Sequence, residues 1–223
     1  MKLLALDTAT GHCSAALLLD GQLTELAIDA EKAQAENILP LVEQLLKEAR
    51  LELKSLDAVA FGRGPGAFTG LRVAAAMAQG LAYGAGLPVL PISNLAALAH
   101  AARRVHGAGR VLACLDARMQ EVYWGAFEAD TRAVRAFGPE QLSAPTGLEA
   151  GPGPWFGAGS GWKAYGGRLG AGVPNLTGAD GELAASAGDV ARLAEPLLIR
   201  GEVLPPEQAL PVYLRDQVAK PKL

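Results

Sequence analysis

The amino-acid sequence predicts an α/β fold made of two copies of a β-β-β-α-β-α unit. An apolar run that ends in an aspartate occurs twice, at 3–7 and again at 110–116. A strand that leads into a glycine-rich loop also occurs twice, at 60–66 and at 155–161. Self-similarity of this kind marks a duplicated structural unit, and the second copy is the shorter one. We therefore expect two related domains that face each other across a cleft.

Length and composition agree with two globular domains. The chain has 223 residues, of which 50% are apolar and 19% charged, and this composition excludes a disordered chain. Glycines near 105–109 indicate a boundary, so the domains are expected at 1–105 and 106–223. A formal net charge of -3 argues against a broad nucleic-acid surface, so any RNA contact is local or made through a partner.

The start of the chain and its cysteines predict a cytoplasmic protein. The first apolar run stops at Asp7, too early for a signal peptide. Glycines, prolines and amides interrupt the uncharged stretch 73–102, so buried helices and a strand fit it better than a membrane span. Cys13 and Cys114 have neither disulfide nor zinc spacing, and we expect two buried thiols in a reducing compartment.

Three strands open the first copy. Lys2–Thr8 and Cys13–Leu19 are short apolar runs. The dipeptide Asp20-Gly21 then predicts a tight hairpin turn into a third strand at Gln22–Asp29.

A helix and a buried strand come next. Apolar residues at helical spacing predict an amphipathic helix over Glu31–Arg50. Pro40 should kink or divide this helix, because proline cannot donate the backbone hydrogen bond. The apolar run 56–61 reads as a strand that enters the glycine loop.

A second helix, one more strand and a third helix complete the copy. Thr69 is the expected N-cap of a helix over Gly70–Gly84. A strand at 87–92 and a helix at 94–103 follow.

The second copy repeats this order more loosely. Strands are expected at 110–116 and 121–128, with a third run ending at Phe137. A Gly/Pro-rich loop at 147–154 precedes the second strand-to-glycine segment, at 155–161.

Asp7 and Asp116 end the first strand of each copy. Two carboxylates on facing hairpins can share a Mg²⁺-phosphate group between domains. By this analogy the chain has the two-domain actin, sugar-kinase and Hsp70-like fold, although a fold alone does not set function. The alternative is that each aspartate only hydrogen-bonds its own turn, and the residues leave both open.

Residues 62–70 are the densest glycine segment. A loop between a strand and a helix start presents backbone N–H groups that can receive an anion. The segment lacks the Lys-Ser/Thr pair of a P-loop, and no acidic residue follows to bind a ribose as in dinucleotide folds. It therefore indicates either a structural turn or a loop that meets an anion or a partner.

The helix over Gly70–Gly84 carries small residues on one face, with apolar bulk beside them. The small residues recur at four-residue spacing, and the whole set is Ala76, Gly80 and Gly84 with Val73, Met77 and Leu81. Such a surface lets another helix approach closely. Since it has almost no charge, it is either buried within its own domain or covered by a partner.

Several segments together resemble the TsaB family, also called YeaZ. They are LLALDTAT at 3–10, NILP at 37–40, GRGPGAFTGLR at 62–72, LDARMQEVYW at 115–124 and PVYLR at 211–215. The resemblance covers nearly the whole chain, and the glycine segment and the Asp-Ala-Arg segment are specific in combination.

The resemblance implies an actin-like fold and a role in placing a threonylcarbamoyl group on N6 of adenosine 37 in tRNA. It implies a subunit that does no chemistry itself. Such a subunit pairs with and activates a TsaD-like catalytic subunit, and it works with a TsaE-like ATPase and with tRNA through the complex. In isolation the same docking surface is expected to pair with itself as a homodimer.

The resemblance also implies which residues matter. The catalytic relative has a His-x-x-x-His metal pair, and Asn94 and Leu98 stand at the corresponding positions here, so no metal site is expected. Residues that border a possible degenerate cleft for ATP or ADP with Mg²⁺ are Asp7, Thr8, Gly64, Gly66 and Asp116. The two long helices would bind the partner, through Ile38, Val42, Leu45, Val73, Ala76, Met77, Gly80 and Gly84.

There are three alternatives to this role. An ATP-dependent enzyme of the same fold would hold Mg²⁺ through Asp7 and Asp116. A peptidase of the M22 type is disfavoured because the three histidines lack metal-ligand spacing. A homodimeric regulator would act without tRNA.

Overall fold

A computed structural model of the chain describes all residues except 11, 30–33, 132 and 216–223. Two mixed β-sheets form its framework, one in each of two lobes. The sheet of the first lobe has five strands in the order β3-β2-β1-β4-β5. These strands are β1 (Lys2–Asp7), β2 (His12–Leu19), β3 (Gln22–Asp29), β4 (Ala58–Gly64) and β5 (Val89–Ser93).

The sheet of the second lobe has six strands. Five of them follow the order β11-β10-β6-β7-β8, and β9 pairs with β7. They are β6 (Arg110–Asp116), β7 (Val122–Ala129), β8 (Val134–Ala136), β9 (Gln141–Ser143), β10 (Trp155–Ala158) and β11 (Leu176–Asp180).

The central strands of the two sheets pair in the same way, which confirms the predicted duplication. In the first, β1 runs antiparallel to β2 and parallel to β4. In the second, β6 runs antiparallel to β7 and parallel to β10. Asp7 and Asp116 therefore end equivalent strands.

Helices cover both faces of the first sheet. The helices α1 (Gln34–Ala49) and α2 (Phe68–Ala85) lie on one face, where Leu4, Leu6 and Phe61 are fully buried. Side chains alternate along a strand, so Leu3 and Ala5 of β1 face the other side. There they join a core with α3 (Asn94–His106) and α5 (Ala187–Ile199).

The same core includes Val111 and Ala113 of β6, so α3 and α5 pack against both sheets. The remaining helix, α4 (Ser160–Ala171), packs on the second sheet with Trp155 and Trp162. The division into domains at 1–105 and 106–223 stays a prediction. One feature bears on it, since α5 follows the second sheet in the chain but also packs on the first.

The start of α2 differs from the prediction. The helix begins at Phe68, and its N-cap is Ala67, which makes no side-chain capping bond. Thr69 lies inside the first turn, so its expected role as N-cap is wrong. The reason is that the first turn packs against the end of β1, where a Cβ on Gly70 would overlap the carbonyl oxygen of Thr8.

Pro40 does not divide α1, which runs undivided over Gln34–Ala49. Proline removes the hydrogen bond that residue 40 would donate to the carbonyl of Glu36. Pro40 and Glu36 are both exposed, so water can bind that carbonyl instead. The predicted residues 31–33 of this helix lie outside the described part of the chain.

Cys13 and Cys114 are buried thiols, as predicted. Burial raises the pKa of the Cys13 thiol to about 11, and it also raises the pKa of Cys114. Both therefore carry a proton at neutral pH. Among the described residues, no helix has the length and apolar character needed to cross a membrane.

Candidate functional site

The glycine loop packs directly on the turn that follows β1. A Cβ on Gly66 would lie 2.8 Å from the carbonyl oxygen of Ala9, and a Cβ on Gly70 would lie closer still to that of Thr8. The Thr8 hydroxyl donates a 2.6 Å hydrogen bond to the carbonyl of Gly70. These glycines are therefore required for close packing of two backbones, which favours the structural-turn interpretation of this segment.

Asp7 is fully buried at the centre of this arrangement. Its Oδ1 accepts hydrogen bonds from the backbone N–H of Ala9 at 3.0 Å and from the side-chain amide of Asn94 at 2.9 Å. Its Oδ2 accepts a bond from the Thr10 hydroxyl at 3.3 Å. Burial raises the pKa of Asp7 to about 6, because the three hydrogen bonds offset only part of the lost hydration.

Asn94, the first residue of α3, joins the ends of β1 and β4. Its amide nitrogen donates to Asp7, and its Oδ1 accepts a 2.7 Å hydrogen bond from the backbone N–H of Gly64. Leu98 lies one turn further along α3 and is 1% exposed. The two positions that the resemblance aligns with metal-binding histidines thus hold an amide that bonds protein groups and a buried aliphatic side chain.

Asp116 makes the same kind of turn in the second lobe. Its Oδ1 accepts a hydrogen bond from the backbone N–H of Arg118 at 2.9 Å, and the Tyr165 hydroxyl lies 3.3 Å away. The Arg118 guanidinium is 3.3 Å from Oδ2. Each aspartate therefore bonds the backbone two residues later in its own turn, which is the alternative that sequence reasoning kept open.

The turn after Asp116 has an unusual backbone. Arg118, Met119 and Gln120 have φ values of 61°, 53° and 59°, so three consecutive non-glycine residues are left-handed. Each such residue costs about 1 kcal/mol or more. The turn persists only because its neighbours hold it.

Three of the five predicted cleft residues, Asp7, Thr8 and Gly64, are buried. A Cβ on Gly64 would lie 2.7 Å from the carbonyl oxygen of Val212. Within the described residues, no three acidic, histidine or cysteine side chains group as a metal site. Asp7 offers no exposed oxygen to Mg²⁺, so the residues as arranged do not fit a shared Mg²⁺ site. Nucleotide binding in this cleft stays a prediction.

A C-terminal clasp, residues 211–215, joins the two lobes, and sequence reasoning missed its role. The N–H of Val212 donates a 2.7 Å bond to the carbonyl of Arg63 beside the glycine loop. Arg215 bonds the carbonyl of Ala117 at 3.0 Å and pairs with Glu121 at 2.8 Å, and these two residues flank the left-handed turn of the second lobe. The only sequence signal was the PVYLR segment of the family resemblance.

An aromatic contact holds the clasp to α2. The rings of Phe68 and Tyr213 are 5.6 Å apart. The Arg72 guanidinium lies 4.0 Å from the centre of the Phe68 ring, and its Nε donates to the Tyr213 hydroxyl at 3.1 Å. Nearby, the buried Nε of Arg63 has no hydrogen-bond partner in the part of the chain that the structure describes.

The outer face of α2 is a surface of small residues. Ala76, Gly80 and Gly84 are exposed, and a Cβ built on either glycine meets no atom within 4 Å. Val73 and Met77 beside them are half-buried. Of the two possibilities for this face, burial within its own domain is therefore excluded for the three small residues.

The other predicted docking residues lie elsewhere. Ile38, Val42 and Leu45 of α1 are at most 2% exposed and pack in the core beneath the helix. Their expected role in contacting a partner is corrected, because the apolar stripe of an amphipathic helix faces its own sheet. On its outer side α1 instead presents Leu39, which is 38% exposed.

Comparisons with known proteins match this chain to a TsaD family model and to TsaB proteins. Residues 28–156 match the family model described as "TsaD: tRNA N6-adenosine threonylcarbamoyltransferase". The tRNA threonylcarbamoyladenosine biosynthesis protein TsaB of Haemophilus influenzae is 40% identical over 100% of this chain and 97% of its own length. The TsaB protein of Escherichia coli is 39% identical over 100% of this chain and 98% of its own.

A solved structure agrees with the fold. YeaZ from Pseudomonas aeruginosa superimposes with a TM-score of 0.90 at 44% identity, covering 96% of this chain and 99% of that one. This chain is therefore similar to TsaB and YeaZ proteins along nearly its whole length, and the predicted α/β fold is confirmed.

Proposed function

The chain belongs to the TsaB (YeaZ) family of tRNA threonylcarbamoyladenosine biosynthesis proteins, and on that premise we propose that it is a non-catalytic partner subunit. It pairs with a TsaD-like catalytic subunit in the cytoplasm and activates it. A TsaE-like ATPase joins the pair, and tRNA is bound through the complex. The product is N6-threonylcarbamoyladenosine at position 37 of tRNA.

The observation that carries this proposal is the exposed small-residue face of α2. A helix face made of Ala76, Gly80 and Gly84 lets the backbone of a second helix come close, so that many weak contacts form over a small area. Half-buried Val73 and Met77 supply apolar surface to the same face. Pairing there desolvates few charged groups, which favours a stable protein interface.

A second argument supports the absence of chemistry in this subunit. Both the amide nitrogen and the amide oxygen of Asn94 are hydrogen-bonded to protein groups, and Leu98 has no metal-binding atom. A catalytic divalent ion needs imidazole or carboxylate ligands that reach it. The proposal therefore requires no cofactor here and leaves the metal to the partner subunit.

The geometry gives less support to an ATP-dependent enzyme. Such an enzyme needs the Asp7 carboxylate at an open cleft, whereas the Asp7 side chain is buried and both its oxygens accept hydrogen bonds from protein groups. If the purified chain hydrolysed ATP and the Asp7→Asn variant did not, that result would support the ATP-dependent enzyme and contradict a non-catalytic subunit.

The direct test measures threonylcarbamoyladenosine in the tRNA of cells that lack this chain. Mass spectrometry of tRNA nucleosides is expected to show loss of threonylcarbamoyladenosine, with recovery when the wild-type chain is returned. An unchanged amount of this nucleoside after complete depletion would contradict the proposal.

A further inference from the structure

A cavity lies on the face of the first sheet that is opposite to α2. It has a volume of about 650 Å³, which falls within the usual range for small-molecule pockets. Residues from β3, from the end of α3 and from the first turns of α5 line it. Neither the cleft residues nor the docking face described above contributes to it.

The cavity walls are rich in cationic side chains. Arg103 and Arg104 of α3 and Arg192 of α5 line it, together with His100. Two carboxylates, Asp189 and Glu25, also reach it. Whether the cavity favours a cation or an anion therefore depends on whether these two carboxylates are free or are already bonded to protein groups.

Asp189 is engaged on both oxygens and is only 1% exposed. His100 Nδ1 lies 2.8 Å from Oδ1, and Arg104 makes a two-pronged contact through Nε and Nη2 at 3.1 Å each. Burial by itself would raise the pKa of Asp189, but the bonds from His100 and Arg104 outweigh burial and lower it. Asp189 is thus an ionised group whose charge is balanced inside the protein.

Glu25 is engaged as well, because its Oε1 accepts a 2.8 Å hydrogen bond from the backbone N–H of Gly188. Backbone N–H groups at the start of α5 are used in the same way. Ala187 N–H bonds the Ser14 hydroxyl and Ser186 N–H bonds Asp189. The end of this helix is therefore satisfied by the protein, and an added anion must be held by side chains.

Several side-chain donors remain for such an anion. Arg104 uses Nε and Nη2 for Asp189, which leaves Nη1. Arg103 uses one Nη1 bond to the carbonyl of Gly107, and the nearest carboxylate to Arg192 is that of Glu195 at 3.8 Å. His100 is 6% exposed and bonds through Nδ1, and no described residue bonds its Nε2.

We propose that this cavity binds a phosphorylated small molecule, with its phosphate group held by Arg103, Arg104, Arg192 and the Nε2 side of His100. Guanidinium forks match phosphate oxygens in geometry and in charge. The volume exceeds that of a phosphate alone, so it accommodates the organic part of the ligand. This inference does not depend on the partner-subunit role, and either can fail without the other.

The test uses the full chain and three probes at constant ionic strength: inorganic phosphate, AMP and adenosine. The imidazole resonances of His12, His100 and His106 are followed by NMR during each titration. Phosphate and AMP are expected to shift His100 in a saturable way, and adenosine is not. His12, which pairs with Asp29 away from the cavity, serves as the internal control.

Variants then assign the contacts. The double variant Arg103→Gln, Arg192→Gln is expected to bind AMP at least about tenfold more weakly, because it removes two of the three guanidinium groups that hold the phosphate. Arg200→Gln, an exposed arginine that pairs with Glu202, is the matched control and keeps wild-type affinity. Thermal unfolding checks that all variants are folded.

Three results would overturn the proposal. They are equal AMP affinity in the double variant and the wild type, no saturable shift of His100 with any phosphate probe, and tighter binding of a single-stranded oligoribonucleotide that displaces AMP. The last result would assign the cavity to an RNA backbone instead of a small molecule.

Discussion

The side-chain amide of Asn94 donates a 2.9 Å hydrogen bond to the buried carboxylate of Asp7. The same amide accepts a bond from Gly64, so one side chain ties the end of β1 to the end of β4. This places a structural crosslink where the catalytic relative is implied to carry a metal ligand. The consequence is that Asn94 contributes to stability here.

Asn94→Leu is expected to lower the free energy of unfolding by about 3 kcal/mol, since it leaves the buried N–H of Gly64 without a partner and removes one of the three hydrogen bonds to the buried Asp7 carboxylate. Urea denaturation measures the change. Asn175→Leu, at an exposed position, is the control and should stay within about 0.5 kcal/mol of wild type. An equal effect of both substitutions would show that the crosslink contributes nothing.

Asp7 gives the protein a defined pH dependence. The folded-state pKa is about 6, against 3.8 for the ordinary group, so the folded chain holds this proton more tightly than the unfolded chain. Its contribution to stability is complete below pH 3.8 and is lost as the pH rises through about 6. At about 1.4 kcal/mol per pH unit, the loss totals about 3 kcal/mol.

Urea denaturation of wild type and Asp7→Asn across this pH range isolates the effect, because groups that do not interact with Asp7 contribute equally to both proteins. We expect the difference in unfolding free energy between the two proteins to change by about 3 kcal/mol between low and neutral pH. A constant difference would mean that Asp7 titrates normally.

Gly80→Arg is expected to weaken binding to a TsaD-like subunit at least about a hundredfold, because a long charged side chain prevents the close approach of a second helix. Calorimetric titration measures the affinity. The fold should remain, since Gly80 has open space and arginine favours a helix by about 1 kcal/mol over glycine.

Gly167→Arg is the matched control for that experiment. Gly167 is an exposed glycine within α4 of the second lobe, and a Cβ there also meets no atom within 4 Å. This variant should bind like wild type. If both variants bound with unchanged affinity, α2 would not be the docking face.

Arg215→Ala is expected to release the clasp from the second lobe. It removes the bonds to Ala117 and Glu121 and should lower the unfolding free energy by about 1–3 kcal/mol. Hydrogen exchange of the left-handed turn at 118–120 should speed up, because that strained backbone loses its support. Arg200→Ala, which breaks an exposed pair, should change neither quantity measurably.

Much of the fold could be predicted because its signals are local. The short apolar runs and the Asp20-Gly21 turn predict the opening strands, and the structure has them at Lys2–Asp7, His12–Leu19 and Gln22–Asp29. The start of α2 was predicted less well. It depends on the close contact between Gly70 and Thr8, which are far apart in the chain.

The site shows the same division. Small residues at 76, 80 and 84 could be placed on one helix face from spacing alone, but not assigned to solvent or core. Ile38, Val42 and Leu45 carry an equally clear apolar pattern and turned out to face the sheet. Periodicity identifies a face of a helix, whereas the neighbouring elements decide what covers it.

The sequence by itself determined the duplicated α/β architecture, the family and the small-residue face, because each depends on residue types at short, regular spacing. Only the tertiary structure decided that Asp7 is buried and bonded, that Arg215 joins the lobes and that three arginines share a cavity. Those relationships connect residues tens or hundreds of positions apart. Their energies come from burial and from partners that no local pattern records.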